Sequence, residues 1–164
     1  MRKGFIYLKE KFKTYQKEWL VGMLILLLDQ LSKNIVMFRM SLGEVREVLP
    51  FFHIHYVRNT GAAFGMMQGG NFILIFIMLG IIVYILKSWK ELCTYGPLVR
   101  WGSVFILAGA MGNLYDRILL GYVVDFLDFL IWPVFNVADS FITVGGCLFA
   151  VSFLFNRKPV REEK

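Results

Sequence analysis

Cysteine, histidine and proline are scarce in this chain: two, two and four among 164 residues. Cys93 falls in a predicted loop and Cys147 inside an apolar run, so neither favours a disulfide or a metal site. His53 and His55 stand two apart on one face of a predicted strand. Two ligands with no obvious third do not make a zinc site, and no Ser-His-Asp arrangement presents itself. Internal repeats, low-complexity tracts, a long linker and a separate soluble domain are missing as well. Acidic residues are few, 12 against 18 Lys and Arg, for a net charge of +6. The basic residues flank apolar runs, which reads as membrane topology and contact with lipid surfaces and speaks against a nucleic-acid partner.

What the chain has is apolar length. Hydrophobic residues make up 57% of it, gathered in four runs at 19–38, 71–87, 98–114 and 138–155. Each is close to the ~20 residues that span a bilayer. The expected fold is an all-α membrane protein of four transmembrane helices, one compact bundle whose short loops fit a monomer. Thirteen Lys and Arg lie before the first run, in the 87–100 connection, and after the fourth run; only Arg39, Arg46, Arg58 and Arg117 lie in the other two connections. The positive-inside rule then puts both termini in the cytoplasm. The first run follows a basic segment, as a signal peptide does. It lacks a small-residue cleavage site and carries Asp29 and Lys33, so it reads as retained.

Within residues 1–18, Phe5, Leu8, Phe12, Tyr15 and Trp19 recur at helical spacing with lysines between them. This predicts an amphipathic helix on the cytoplasmic leaflet; the alternative is a basic tail that only orients the protein. A matching basic tail occupies 157–164. Residues 39–70 are too long for a structureless connection, and the β-branched and aromatic residues from Val45 to Val57 predict a small extracytoplasmic β element between helices 1 and 2. Residues 118–135 read as an apolar return segment hugging the membrane surface. Asn136 or Asp139 would cap the last helix.

Carboxylates beside membrane-length apolar sequence are costly unless paired or used. Asp29 and Lys33 lie four apart on one helix face and can neutralise each other. At ~1.5 Å per residue they fall roughly 15 and 21 Å past Trp19, towards the outer side. Asn113 and Arg117 share a face one turn apart. Asp29, Asp116, Asp125, Asp128, Asp139, Asn59, Asn113, Asn136, Arg117 and Lys33 are all expected near one depth. Such convergence predicts a polar cavity. Two close carboxyls there can run acid–base hydrolysis, one ionised and one protonated. A small proton- or ion-coupled transporter subunit, or an assembly factor with a structural Asp–Arg network, would use the same residues differently.

Five blocks carry a resemblance: Asp29-Gln-Leu-Ser-Lys33, Asn59-Thr-Gly61-Ala-Ala-Phe64, Gly112-Asn113-Leu-Tyr-Asp116-Arg117, Val-Val-Asp125-Phe and Phe-Asn136-Val-Ala-Asp139-Ser. In this order, on a four-span frame, the chain resembles the lipoprotein signal peptidases, the type II signal peptidases of bacteria. The resemblance implies an intramembrane aspartic endopeptidase of the bacterial cytoplasmic membrane, over residues 19–156, with its site facing outward. It would cut diacylglyceryl-modified prolipoproteins before the modified cysteine, with no metal or cofactor. It implies Asp125 and Asp139 as the catalytic pair. Asn113, Arg117 and Asn136 would support the pair and the substrate, and Asp29, Lys33, Asn59 and Gly61 would shape the pocket. The β element would be the family's β-cradle, and globomycin-type cyclic peptides would sit between the aspartates. Asp128 becomes an exposed surface charge and Asp116 an orienting group. The dipole of the last helix favours an ionised Asp139 as base, which leaves Asp125 as the acid.

Overall fold

The computed structural model describes residues 15–61 and 69–155. Residues 1–14 of the expected amphipathic segment, positions 62–64 of the second motif block and the 157–164 tail lie outside the described residues. The element order is α1 (Gln16–Arg39), β1 (Val45–Leu49), β2 (Phe52–Asn59), α2 (Asn71–Thr94), α3 (Pro97–Leu119), β3 (Val123–Asp128) and α4 (Val137–Phe155).

Among the described residues, α1, α2 and α4 are long and apolar enough to cross a membrane. Their outward faces carry exposed Leu, Ile, Phe and Val, including Phe38 at 84% and Phe153 at 79% exposure. Large apolar side chains pointing out over whole helices fit a hydrocarbon surround. The chain is a membrane protein. α3 differs: thirteen of its 23 residues are buried, including Ser103, Asn113, Asp116 and Arg117. It is the axis against which the other helices pack.

Small residues set that packing. Gly102 on α3 faces Gly145 on α4, and a Cβ built on Gly145 would meet the Gly102 carbonyl oxygen and Ile106 Cγ1, both at 2.7 Å. Backbones this close gain dispersion contacts in lipid, where the hydrophobic effect contributes little between helices. Gly145→Ala is therefore expected to lower stability by about 1–3 kcal/mol, read as a drop in thermal midpoint in detergent; an unchanged midpoint would show that the α3–α4 contact yields freely.

The second apolar run extends further than its composition suggested. α2 continues to Thr94, so Lys87 and Lys90 are helical, and the loop to α3 shrinks to Tyr95-Gly96. Gly96 has φ +99°, a left-handed conformation that suits glycine, and Pro97 starts the next helix where its missing N–H is not needed. At this end Ile85, Trp89, Leu92, Val99, Val104 and Leu107 form one core, and Glu18 pairs with Arg100 at 2.9 Å.

The expected small β element is present, but it is not confined between helices 1 and 2. Its order is β1-β2-β3, antiparallel throughout. The third strand comes from the stretch read as a membrane-hugging return segment: Val123, Val124 and Asp125 pair with Asn59, Arg58 and Val57. Fully apolar runs this short do not separate a buried strand from a surface segment by periodicity. Val124 and Phe126 pack with Tyr56 against Val36 and Met40 at the end of α1. Asp128, expected as an exposed charge, is instead 13% exposed and pairs with His55 Nδ1 at 3.2 Å, because the β2–β3 register puts both on one sheet face.

Candidate active site

The polar residues converge where the sheet meets the helix ends. Asp29 is fully buried on α1. Its Oδ2 lies 2.8 Å from Lys33 Nζ, and its Oδ1 accepts the Ala138 N–H at the start of α4 at 2.9 Å. Gly112 gives the carboxylate room, since a Cβ there would come 2.5 Å from Oδ2. Lys33, 1% exposed, also reaches Asp116 Oδ2 at 3.0 Å and Asn113 Oδ1 at 2.8 Å. The ammonium thus spends its three protons on three acceptors from two helices. Asp116 accepts in addition the Val124 N–H at 3.2 Å and Gln30 Nε2 at 3.0 Å, so it ties β3 to α1 and α3.

Three asparagines follow one rule: the amide oxygen is occupied elsewhere, so the NH2 points at a carboxylate. Asn113 gives its oxygen to Lys33 and donates to Asp139 Oδ1 at 2.7 Å. Asn136 caps α4, its oxygen accepting the Asp139 N–H at 2.9 Å, and donates to Asp125 Oδ1 at 2.7 Å. Asn59 accepts the Gly61 N–H at 3.0 Å and donates to Asp125 Oδ2 at 2.8 Å. Lysine and backbone N–H groups can only donate, so these amide orientations are dictated. Asp139 stands in the first turn of α4, where the helix dipole favours negative charge.

Asp125, Asp139, Asn59, Gly61, Asn113 and Arg117 line a cavity of about 490 Å³. Its apolar wall includes Leu74 and Met78 of α2, Ile142 of α4, and Trp132 and Phe135 from the chain before α4. Asp29, Lys33 and Asn136 are not on that wall; they stand behind it, fully buried. Asp125, on β3, is held with its carboxyl up at about 7, first by burial and then by the neighbouring Asp139 charge. The Asn59 and Asn136 hydrogen bonds and the Lys33 charge oppose this rise. A carboxyl that keeps its proton near neutrality beside a second carboxyl is equipped for acid–base chemistry on a substrate in the cavity. Among the described residues no cluster of three metal ligands exists. Sequence reasoning missed Gln30, which bridges Asp29, Asp116 and the Gly112 carbonyl, and Asn71, which holds Arg117. Gln30 stands inside the first motif block, but its bonds to Gly112 and Asp116 cross more than eighty residues, and those of Asn71 to Arg117 cross forty-six, so spacing signals neither role.

Fold and site together define a membrane enzyme with a carboxyl pair in a cavity at one end of its helix bundle. Comparison with known proteins gives the particular kind. The chain belongs to the signal peptidase II family, whose model matches residues 21–155, and it is a protease by that membership. It is 40% identical over 143 residues to a lipoprotein signal peptidase of Halothermothrix orenii, covering 87% of this chain and 97% of that protein. A lipoprotein signal peptidase of Enterococcus faecalis is 39% identical over 153 residues, covering 89% and 92%. A solved structure of a bacterial membrane enzyme superposes with a TM-score of 0.82 at 32% identity, covering 91% of this chain and 95% of that one.

Proposed function

We propose that this protein is an aspartic endopeptidase that removes the signal peptide from diacylglyceryl-modified prolipoproteins, cutting before the modified cysteine. The observation that carries the reading is the pair Asp125 and Asp139 on one cavity wall, the first held by two asparagine amides and the second by one, each with its oxygen engaged elsewhere. The names of the relatives support the substrate.

In the proposed reaction, water stands between the carboxyls. Asp139, ionised at its helix N-terminus, takes a proton from the water as it adds to the scissile carbonyl. Asp125 gives its proton to the carbonyl oxygen. When the tetrahedral diol collapses, Asp139 passes its proton to the departing amine and Asp125 recovers one from a diol hydroxyl, so both return to their starting states. Asn59, Asn113 and Asn136 keep the carboxyls in place, Arg117 supplies a cation on the wall, and Asp29, Lys33 and Asp116 hold the support from behind. The reaction uses no metal or cofactor.

The same reading gives four membrane spans, with α3 as the shielded fourth, and both termini in the cytoplasm by the positive-inside rule. The site then opens on the extracytoplasmic side of the bacterial cytoplasmic membrane, within reach of lipid-anchored substrates, and a monomer suffices. Cyclic peptides of the globomycin type would fill the cavity in place of the scissile segment. A transporter would need polar groups at several depths along a path; here the network gathers at one end.

The test is purified protein in detergent with a synthetic prolipoprotein peptide, with and without the diacylglyceryl group, and the products located by mass spectrometry. The expected result is a cut on the N-terminal side of the cysteine in the modified peptide alone. Equal cutting of both peptides would overturn the substrate class, and cutting of neither by folded protein would overturn the peptidase reading.

A further inference from the structure

Arg117 is a cation on the cavity wall, and it is almost wholly buried, 4% exposed. Two groups hold its guanidinium. Nη2 donates to the Gly61 carbonyl at 2.6 Å, and Nη1 donates to Asn71 Oδ1 at 3.1 Å. Asn71 answers by donating Nδ2 to the Arg117 carbonyl at 3.2 Å. The Nε–H, also buried, has no hydrogen-bond partner among the described residues. A planar fork with more donors than acceptors takes its orientation from the few partners it has. Asn71 is one of two, and it grips both the side chain and the backbone of Arg117. It is the first residue of α2, while Arg117 lies in the last turn of α3.

Orientation matters because of what surrounds this charge. α1 supplies Asp29 and Lys33, which neutralise each other together with Asp116 of α3. β3 supplies Asp125 and α4 supplies Asp139, and the charges of Asp125, Asp139 and Asp116 all act on Arg117. β2 and α2 supply the neutral Asn59 and Asn71, and β2 also supplies Arg58, which lines the cavity with its guanidinium over the Tyr122 ring. Lys33 is committed behind the wall and Arg58, which also lines the cavity, is exposed, so Arg117 is the buried cation that shares the cavity with the two carboxyls.

We propose that Asn71 is a positioning residue for the cleavage reaction, fixing the Arg117 guanidinium where its charge favours the ionised form of one carboxyl of the Asp125–Asp139 pair. This deepens the peptidase reading and rests on it. A cation near a carboxyl favours ionisation, and the base of the pair must be ionised to act. Letting the guanidinium swing away therefore moves the acid limb of the pH–rate profile to higher pH.

The experiment compares Asn71→Leu, near in volume but without the amide, and Asn71→Ala, which adds no bulk, with wild type. Each is assayed on the diacylglyceryl-modified peptide across pH, with the thermal midpoint recorded. Both variants are expected to lower kcat about tenfold with KM within about twofold, and to shift the acid limb up by about half a pH unit. A lowered midpoint with kcat and the acid limb unmoved would reduce Asn71 to a staple between α2 and α3 and overturn the proposal, as would a fall in kcat with no shift of the limb. Wild type that cuts no lipid-modified peptide overturns the underlying peptidase reading before any variant is compared.

Discussion

Asp125→Asn and Asp139→Asn are each expected to lower cleavage of the lipid-modified peptide about a thousandfold or more. In the proposed reaction one carboxyl must accept a proton from water and the other must donate one. A carboxamide does neither at any accessible pH. Because the two act as one unit, the double variant should be no worse than the poorer single one, whereas two independent contributors would multiply. The folds should survive unequally. Asp125 accepts one amide on each oxygen, so an amide there turns an NH2 towards another NH2 and weakens the site. Asp139 accepts one at Oδ1, which an amide oxygen can still do. Thermal midpoints in detergent separate lost chemistry from lost fold. Wild type should also show a rate that falls as pH rises through about 7, where Asp125 loses its proton, with the apparent values belonging to the pair. Full activity in either folded variant would remove that aspartate from the reaction.

Lys33→Met carries the second large effect, and it acts on the fold first. The ammonium sits 2.8 Å from Asp29, 3.0 Å from Asp116 and 2.8 Å from Asn113, all buried. Methionine fits the volume and removes the charge, which leaves two carboxylates in a low-dielectric interior without their cation. Breaking a buried ion pair on one side in this way destabilises by about 3–5 kcal/mol, so low yield and a sharply lower thermal midpoint are expected. Adding Asp29→Asn to Lys33→Met should recover part of the midpoint, because one stranded charge is gone. Activity should not recover with it. Without Lys33, the Asn113 oxygen keeps only the Asn136 amide at 3.2 Å, so its NH2 is held less firmly towards Asp139. A midpoint unchanged in Lys33→Met would mean that the carboxylates find other compensation.

How far the residues alone reach is clearest at these two sites. Asp125 and Asp139 stand out because a carboxyl beside apolar sequence is expensive and needs a reason, and Asp29 with Lys33 because a spacing of four puts opposite charges on one helix face. Both signals are local; in the structure Asp29 and Lys33 form a buried ion pair, and Asp125 and Asp139 line one cavity. The third strand left no comparable mark. Val123 to Leu127 is apolar apart from Asp125, and its strand character depends on β2 lying alongside. Asp128 left no mark for the same reason: its partner His55 lies seventy-three residues away.

The amino-acid sequence by itself determined the membrane class, the four apolar runs and the carboxyls that need a partner or a use, since these follow from composition, run length and short-range spacing. Tertiary structure alone decided which way each asparagine amide faces, that Asp116 joins Asp29 on Lys33, that Gln30 and Asn71 take part, and that the sheet borrows a strand from beyond α3. Each of these is a contact between elements distant in the chain. Hydrogen bonds of that kind depend on where two backbones come to rest against each other, and no periodicity within either segment records it.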